Sequence, residues 1–200
     1  MKLPHFITYF LIKSINQNFA ILSRHKRINM KYFLLLLITI SFLYSKNINI
    51  DSFKANFVQT LTNDKGNSLV YKGVVVASKP QNMLWNYTYP AKKDIIIKEH
   101  KVTVIEYDIE QVQIRNIHGN FNFFKILKNA KKVKDNIYIA KFNNIEYKLN
   151  FKNNEINSIS YLDELENNIS ITFTKQEENK KIDINIFTPL IPLDFDIIQE

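Results

Sequence analysis

Residues able to do acid–base, nucleophilic or metal chemistry are few and scattered in this 200-residue chain. It has four histidines and no cysteine. His100 lies beside Lys98 and Lys101, His118 precedes Gly119, and His5 and His25 fall near the N-terminus. Isolated histidines without carboxylates at ligand spacing do not make a metal site. Asp163-Glu164 and Glu177-Glu178 sit in polar, turn-like clusters, where solvated carboxylates are ordinary. A glycosidase pair would need a set separation between carboxyls, which nothing in the spacing supplies. Three glycines can hardly build a phosphate loop, and neither a Gly-x-Ser-x-Gly elbow nor a His-Glu-x-x-His pair occurs. Catalysis, a cofactor and a metal are therefore not expected.

What the chain does offer is apolar surface in an ordered pattern. In Phe53 to Thr62, Phe53, Ala55, Phe57 and Leu61 share one face while Lys54, Asn56 and Thr60 share the other. That alternation is the mark of a strand with one buried side. Further on, Met83, Trp85, Tyr87 and Tyr89 fall on a single face, large and aromatic. Such a face either fills a core or lines a cavity for something greasy.

The elements that must position these residues are mostly strands. Extended segments are predicted over 53–62, 68–78, 83–88, 94–98, 102–107, 111–117, 137–142, 145–151, 156–161, 169–175 and 182–187. Short breaks rich in Asn, Asp, Lys and Gly separate them, which favours an antiparallel meander over parallel strands with long crossovers. One helix is predicted over Phe121 to Lys132. Phe123, Phe124, Leu127 and Ala130 form its apolar stripe, opposed by Lys125, Lys128, Lys131 and Lys132. A helix inserted midway through a meander is well placed to lie across the sheet. The last stretch, with Pro189 and Pro192, cannot be a long central strand and should wrap the surface or add an edge.

Residues 1 to 45 carry six basic residues and no acidic one, and Tyr32 to Tyr44 is a run of 13 mostly apolar residues. This is the pattern of an export leader; the run is shorter than the ~20 residues that span a bilayer. The signal begins naturally at Met30, which would make residues 1 to 29 an upstream extension. Residues 46 to 200 would form a single domain. They hold 21 basic and 19 acidic residues, so the basic balance of the whole chain belongs mostly to the leader. A near-neutral domain with one arginine, Arg115, argues against nucleic acid.

Phe53-x-Ala55-x-Phe57-x-Gln59-Thr60 is followed by Gly73, Lys79-Pro80, Leu84-Trp85-x-Tyr87 and Pro90. Tyr107-Asp108, Glu110-Gln111-Val112, Phe187-x-Pro189 and the Asp194 to Ile198 tail complete the series. This order resembles the LolA family, periplasmic carriers of lipoproteins from the inner to the outer membrane of Gram-negative bacteria. The resemblance spans nearly all of residues 51 to 200. It implies a mainly β fold, an incomplete antiparallel barrel of about eleven strands, covered by a short helical lid. Acyl chains would bind in a hollow beneath that lid. The implied wall is Phe57, Met83, Trp85, Tyr87, Ile105, Tyr107, Phe123, Phe124 and Leu127. The basic residue before the proline holds the family's empty carrier shut, which makes Lys79 the lid latch. Lys stands where the family usually has Arg, and a mobile point charge makes a looser latch than a planar fork. Cleavage after Ser45 would leave seven residues before Phe53, too few for the family's first amphipathic helix. The implied partners are triacylated lipoproteins, an inner-membrane lipoprotein-releasing ABC transporter and an outer-membrane acceptor, with the carrier a periplasmic monomer. The alternative is a non-catalytic envelope module of the same fold that senses lipoproteins.

Overall fold

The computed structural model describes residues 48–116 and 123–199. The expected export leader with Met30, and the loop positions His118 and Gly119-Asn120, lie outside them. The strands are β1 (Ser52–Thr62), β2 (Ser68–Ser78), β3 (Asn82–Tyr89), β4 (Lys93–Lys98), β5 (Lys101–Glu106) and β6 (Gln111–Asn116), then β7 (Lys131–Lys134), β8 (Ile137–Phe142), β9 (Ile145–Lys152), β10 (Glu155–Leu162), β11 (Asn168–Glu178) and β12 (Asp196–Gln199). One helix, α1 (Phe123–Asn129), precedes β7.

Turn chemistry explains why the strands end where they do. Asn63 Oδ1 accepts from the amides of Lys65 (3.1 Å) and Asn67 (2.9 Å), and Gly66 takes φ +80°. Asp163 repeats the device at the β10–β11 turn, accepting from Leu165 and Asn167 at 2.9 Å each. Side chains that bond their own backbone in this way favour turns over ladders.

All twelve strands join one sheet in the order β12-β6-β5-β4-β3-β2-β1-β11-β10-β9-β8-β7. Two antiparallel meanders meet where β1 pairs with β11, and among the described residues the only parallel pair is β12 with β6. The two edge strands, β12 and β7, do not pair with each other, so the curved sheet stays open. This is the incomplete barrel expected, with twelve strands rather than about eleven.

Two segments differ from expectation. The lysines at 131 and 132 leave the helix and enter β7, a short, fully exposed edge strand. Charged, four-residue edges are a usual defence against edge-to-edge pairing. The alternating isoleucines of 182–187 do not form a strand. Asp183 caps a 3₁₀ turn over Ile184–Phe187 by accepting from Asn185 N at 3.0 Å, and Phe187 alone is fully buried. The tail then supplies β12.

The sheet buries apolar residues on both faces. On the concave side, Phe53, Ala55, Phe57, Val75 and Met83 pack with residues of β8 to β11, such as Leu149, Ile171 and Phe173, and with α1. On the convex side, Ile96, Ile105 and Val112 form a second cluster beneath Ile191 and Phe195 of the tail. Gly73 permits the close packing of the first. A Cβ there would sit 2.0 Å from the Asn86 carbonyl oxygen and 2.9 Å from the Phe57 ring.

Candidate functional site

The concave face is built by register. Across β1, β2 and β3, Phe57 pairs with Gly73 and Gly73 with Tyr87, while Ala55 pairs with Val75 and Val75 with Trp85. Across β3, β4 and β5, Met83 pairs with Ile97 and Ile97 with Val102. Directly opposed residues share a face, so these positions form one continuous apolar surface. Its centre is an aromatic cluster. The Phe57 ring stands edge-on to Trp85 at 4.8 Å and to Tyr87 at 5.1 Å between centroids.

The two ends of this surface differ. At one end, four tyrosines converge. Tyr87 donates to Gln59 Oε1 at 2.9 Å, Tyr71 meets it edge-on at 6.0 Å, and Tyr147 lies 4.9 Å from Tyr161. Lys93 Nζ reaches over the Tyr87 ring at 5.2 Å. Burial, with Tyr161 and Tyr71 close by, raises the Tyr87 hydroxyl well above its ordinary pKa. Burial beside Tyr147 and Asp163 pushes Tyr161 up to about 12. Both hydroxyls therefore stay protonated and neutral at any physiological pH.

At the other end α1 closes on the sheet. Its Phe124, Ile126 and Leu127 are buried, and Phe123 lies 5.9 Å from the Phe53 ring. The helix forms only because this stripe is buried; seven residues are too few to hold a helix in water. Between α1 and the sheet, Met83, Ile97, Phe123 and Phe124 leave a gap of about 10 Å³, at the lower limit for one water. Where Phe123 and Phe124 meet Met83 and Ile97, the expected hollow is thus reduced to this gap in this conformation. Gln81, at the edge of the gap, has its Nε2 buried without a hydrogen-bond partner.

Of the expected wall residues, Phe57, Met83, Trp85, Tyr87, Phe123, Phe124 and Leu127 come together in the concave cluster. Ile105 and Tyr107 do not. Ile105 pairs with Asp94 and Val112, one residue out of step with the Ile95–Val104 pair that continues the row of Trp85, and belongs to the convex cluster. Tyr107 packs there against Phe195 at 5.9 Å and donates to Asp94 Oδ2 at 2.8 Å. Strand alternation points instead to Val102, and Phe53 was legible beside Phe57 in the same way.

Lys79 also differs in detail from the expected latch. Its ammonium pairs with the Asp51 carboxylate, just before β1, rather than with a named group on α1. Its amide donates to the Asp51 carbonyl at 2.9 Å. Both side chains are exposed, and such pairs contribute about 0–1 kcal/mol. Nothing in the sequence marked Asp51, 28 residues earlier. Among the described residues no group of three His, Asp or Glu side chains could hold a metal ion, and no helix is long and apolar enough to cross a membrane.

Residues 48–189 match the family described as Outer membrane lipoprotein carrier protein LolA. An outer-membrane lipoprotein carrier protein of Campylobacter jejuni is 36% identical over 169 residues, covering 84% of this chain and 99% of that protein. One of Helicobacter pylori is 38% identical over 139 residues, covering 70% and 74% respectively. A solved LolA superfamily structure from Nitrosomonas europaea overlays with a TM-score of 0.46 at 13% identity, over 72% of this chain and 92% of that one. With most of its length matched by the family pattern and by relatives above 30% identity, the chain belongs to the LolA family of outer-membrane lipoprotein carriers.

Proposed function

We propose that this protein is a periplasmic carrier that shields the acyl chains of lipoproteins released from the inner membrane and conveys them to the outer membrane. The observation that carries the reading is α1: a seven-residue helix, apolar on one side, seated on a continuous apolar sheet face. Cargo binds by displacing it.

The energies are of matching size. Three buried side chains, Phe124, Ile126 and Leu127, contribute roughly 5–9 kcal/mol at about 1.5–3 kcal/mol each. Some ten acyl methylenes at about 0.8 kcal/mol each contribute about 8 kcal/mol on the same surface. The exchange is nearly even, so loading and unloading are both accessible and a partner able to favour one state decides the direction. The unmet donor on Gln81 opposes closure, by about 1–3 kcal/mol.

The test is release of a triacylated lipoprotein from energised inner-membrane vesicles into the soluble fraction. The native protein should release it and Trp85→Asp, which places a charge on the concave face, should not. Retention of the lipoprotein in the membrane with native protein would refute the carrier reading. It would favour the envelope-sensing alternative.

A further inference from the structure

Charge is distributed unevenly in a way that carrying acyl chains does not require. Within residues 125–135 there are five lysines and one acidic residue, Asp135. The rest of residues 46–200 holds 16 basic and 18 acidic residues, a slight negative excess. The lysines fall on the outer side of α1 (Lys125, Lys128) and along β7 (Lys131, Lys132, Lys134), and all five are exposed. Val133 among them is 62% exposed. Lys132 is bonded to Asp135 at 2.9 Å. The helix lysines also rim a groove of about 590 Å³, shared with Lys79 and floored by Ile48, Ile50 and Phe124.

We propose that this lysine face docks on an anionic phospholipid bilayer, with α1 turned toward the membrane. Three features favour a bilayer over an acidic protein. The cations are all lysines, compact point charges that suit a fluid field of phosphate groups rather than the fixed carboxylates an Arg fork matches. Lys is depleted in protein–protein interfaces, where Arg and aromatic residues carry the binding. The patch also adds an exposed valine to the charge, and lysine clusters gain about 1 kcal/mol per residue near an anionic leaflet. Edge protection accounts for β7 but not for Lys125 and Lys128, which lie on the helix. Docking there would hold the lid, and the apolar face beneath it, next to the membrane.

The test is co-sedimentation of the protein, produced from the full chain with all variants prepared identically, with vesicles of phosphatidylglycerol and phosphatidylcholine or of phosphatidylcholine alone. No cargo is present, so the result is independent of the carrier reading. The protein should bind the anionic vesicles at low salt and be released near 0.5 M salt, where charges are screened beyond a few ångströms. Lys125→Gln with Lys128→Gln should weaken binding about 30-fold, from two phosphate-leaflet attractions lost. Lys65→Gln in the β1–β2 turn with Lys72→Gln on β2, which is six strands from β7 in the sheet order, should leave it unchanged. Equal losses in both pairs would reduce the effect to net charge and overturn the proposal. So would unchanged vesicle binding in the Lys125/Lys128 variant accompanied by lost lipoprotein release, which would assign the face to a protein partner. Self-association of Lys131→Gln with Lys134→Gln at unaltered vesicle affinity would leave β7 as edge protection only, and would remove it from the docking face.

Discussion

The helix α1 and the C-terminal segment each cover an apolar face of the same sheet, but different chemistry fastens them. Phe123, Phe124, Ile126 and Leu127 hold α1 through rings and methyl groups against Phe53, Met83 and Ile97. The tail adds directional bonds to its apolar anchors. Thr188 accepts from Lys98 Nζ at 3.2 Å, Asp196 N donates to the Glu110 carbonyl at 2.9 Å, and β12 extends the sheet along β6. Apolar contacts can be replaced by any other apolar surface, whereas a ladder of backbone bonds has no substitute in a hydrocarbon chain. Under the carrier function we propose, α1 is the cover that cargo displaces and the tail is the one that stays.

Truncating the tail's anchor should therefore damage the whole fold. Phe187→Ala, at a fully buried site, should cost about 3–5 kcal/mol of stability, read as a lowered urea midpoint. Release activity measured well below that midpoint should persist. Leu127→Ala makes the complementary break. It should remove about 2–5 kcal/mol, mostly from closure of α1, so an apolar dye such as ANS should brighten in native conditions while the urea midpoint moves less than in Phe187→Ala. A larger fall in global stability from Leu127→Ala would mean that α1 is ordinary core. Lys79→Leu should have the smallest effect, below about 1 kcal/mol in stability for an exposed pair. Loading should be intact. Slower handover to acceptor membranes in this variant would restore Lys79 as a latch acting through Asp51.

The same contrast explains what could be read from the sequence. β1, β9 and β11 have one wet face, so alternation identified their strands and buried residues directly. β4 and β5 are covered on both sides, and Val102-Thr103-Val104-Ile105 therefore has no clear polar face. The wall implied by the family resemblance therefore includes Ile105 and Tyr107, and no polar face in this stretch sets them apart from it. Without the tail on the convex face, period two would have separated them from Trp85. β7 was hidden because an exposed edge of three lysines continues the basic face of the helix before it. Type and spacing put the seven residues that did converge on apolar faces, and the family resemblance alone implied that those faces form a cavity wall. That they pack with so little space left was not legible, because filling depends on the angle at which α1 meets the sheet.

The central claim is that the concave surface takes up acyl chains only when α1 leaves it. The chain has no native cysteine, so Met83→Cys with Phe123→Cys, two residues that line the same gap, would place one thiol pair between lid and sheet. Release of a triacylated lipoprotein from inner-membrane vesicles is then compared with the thiols cross-linked and reduced. The account predicts no release in the cross-linked protein and recovery on reduction; equal release in both states would contradict it.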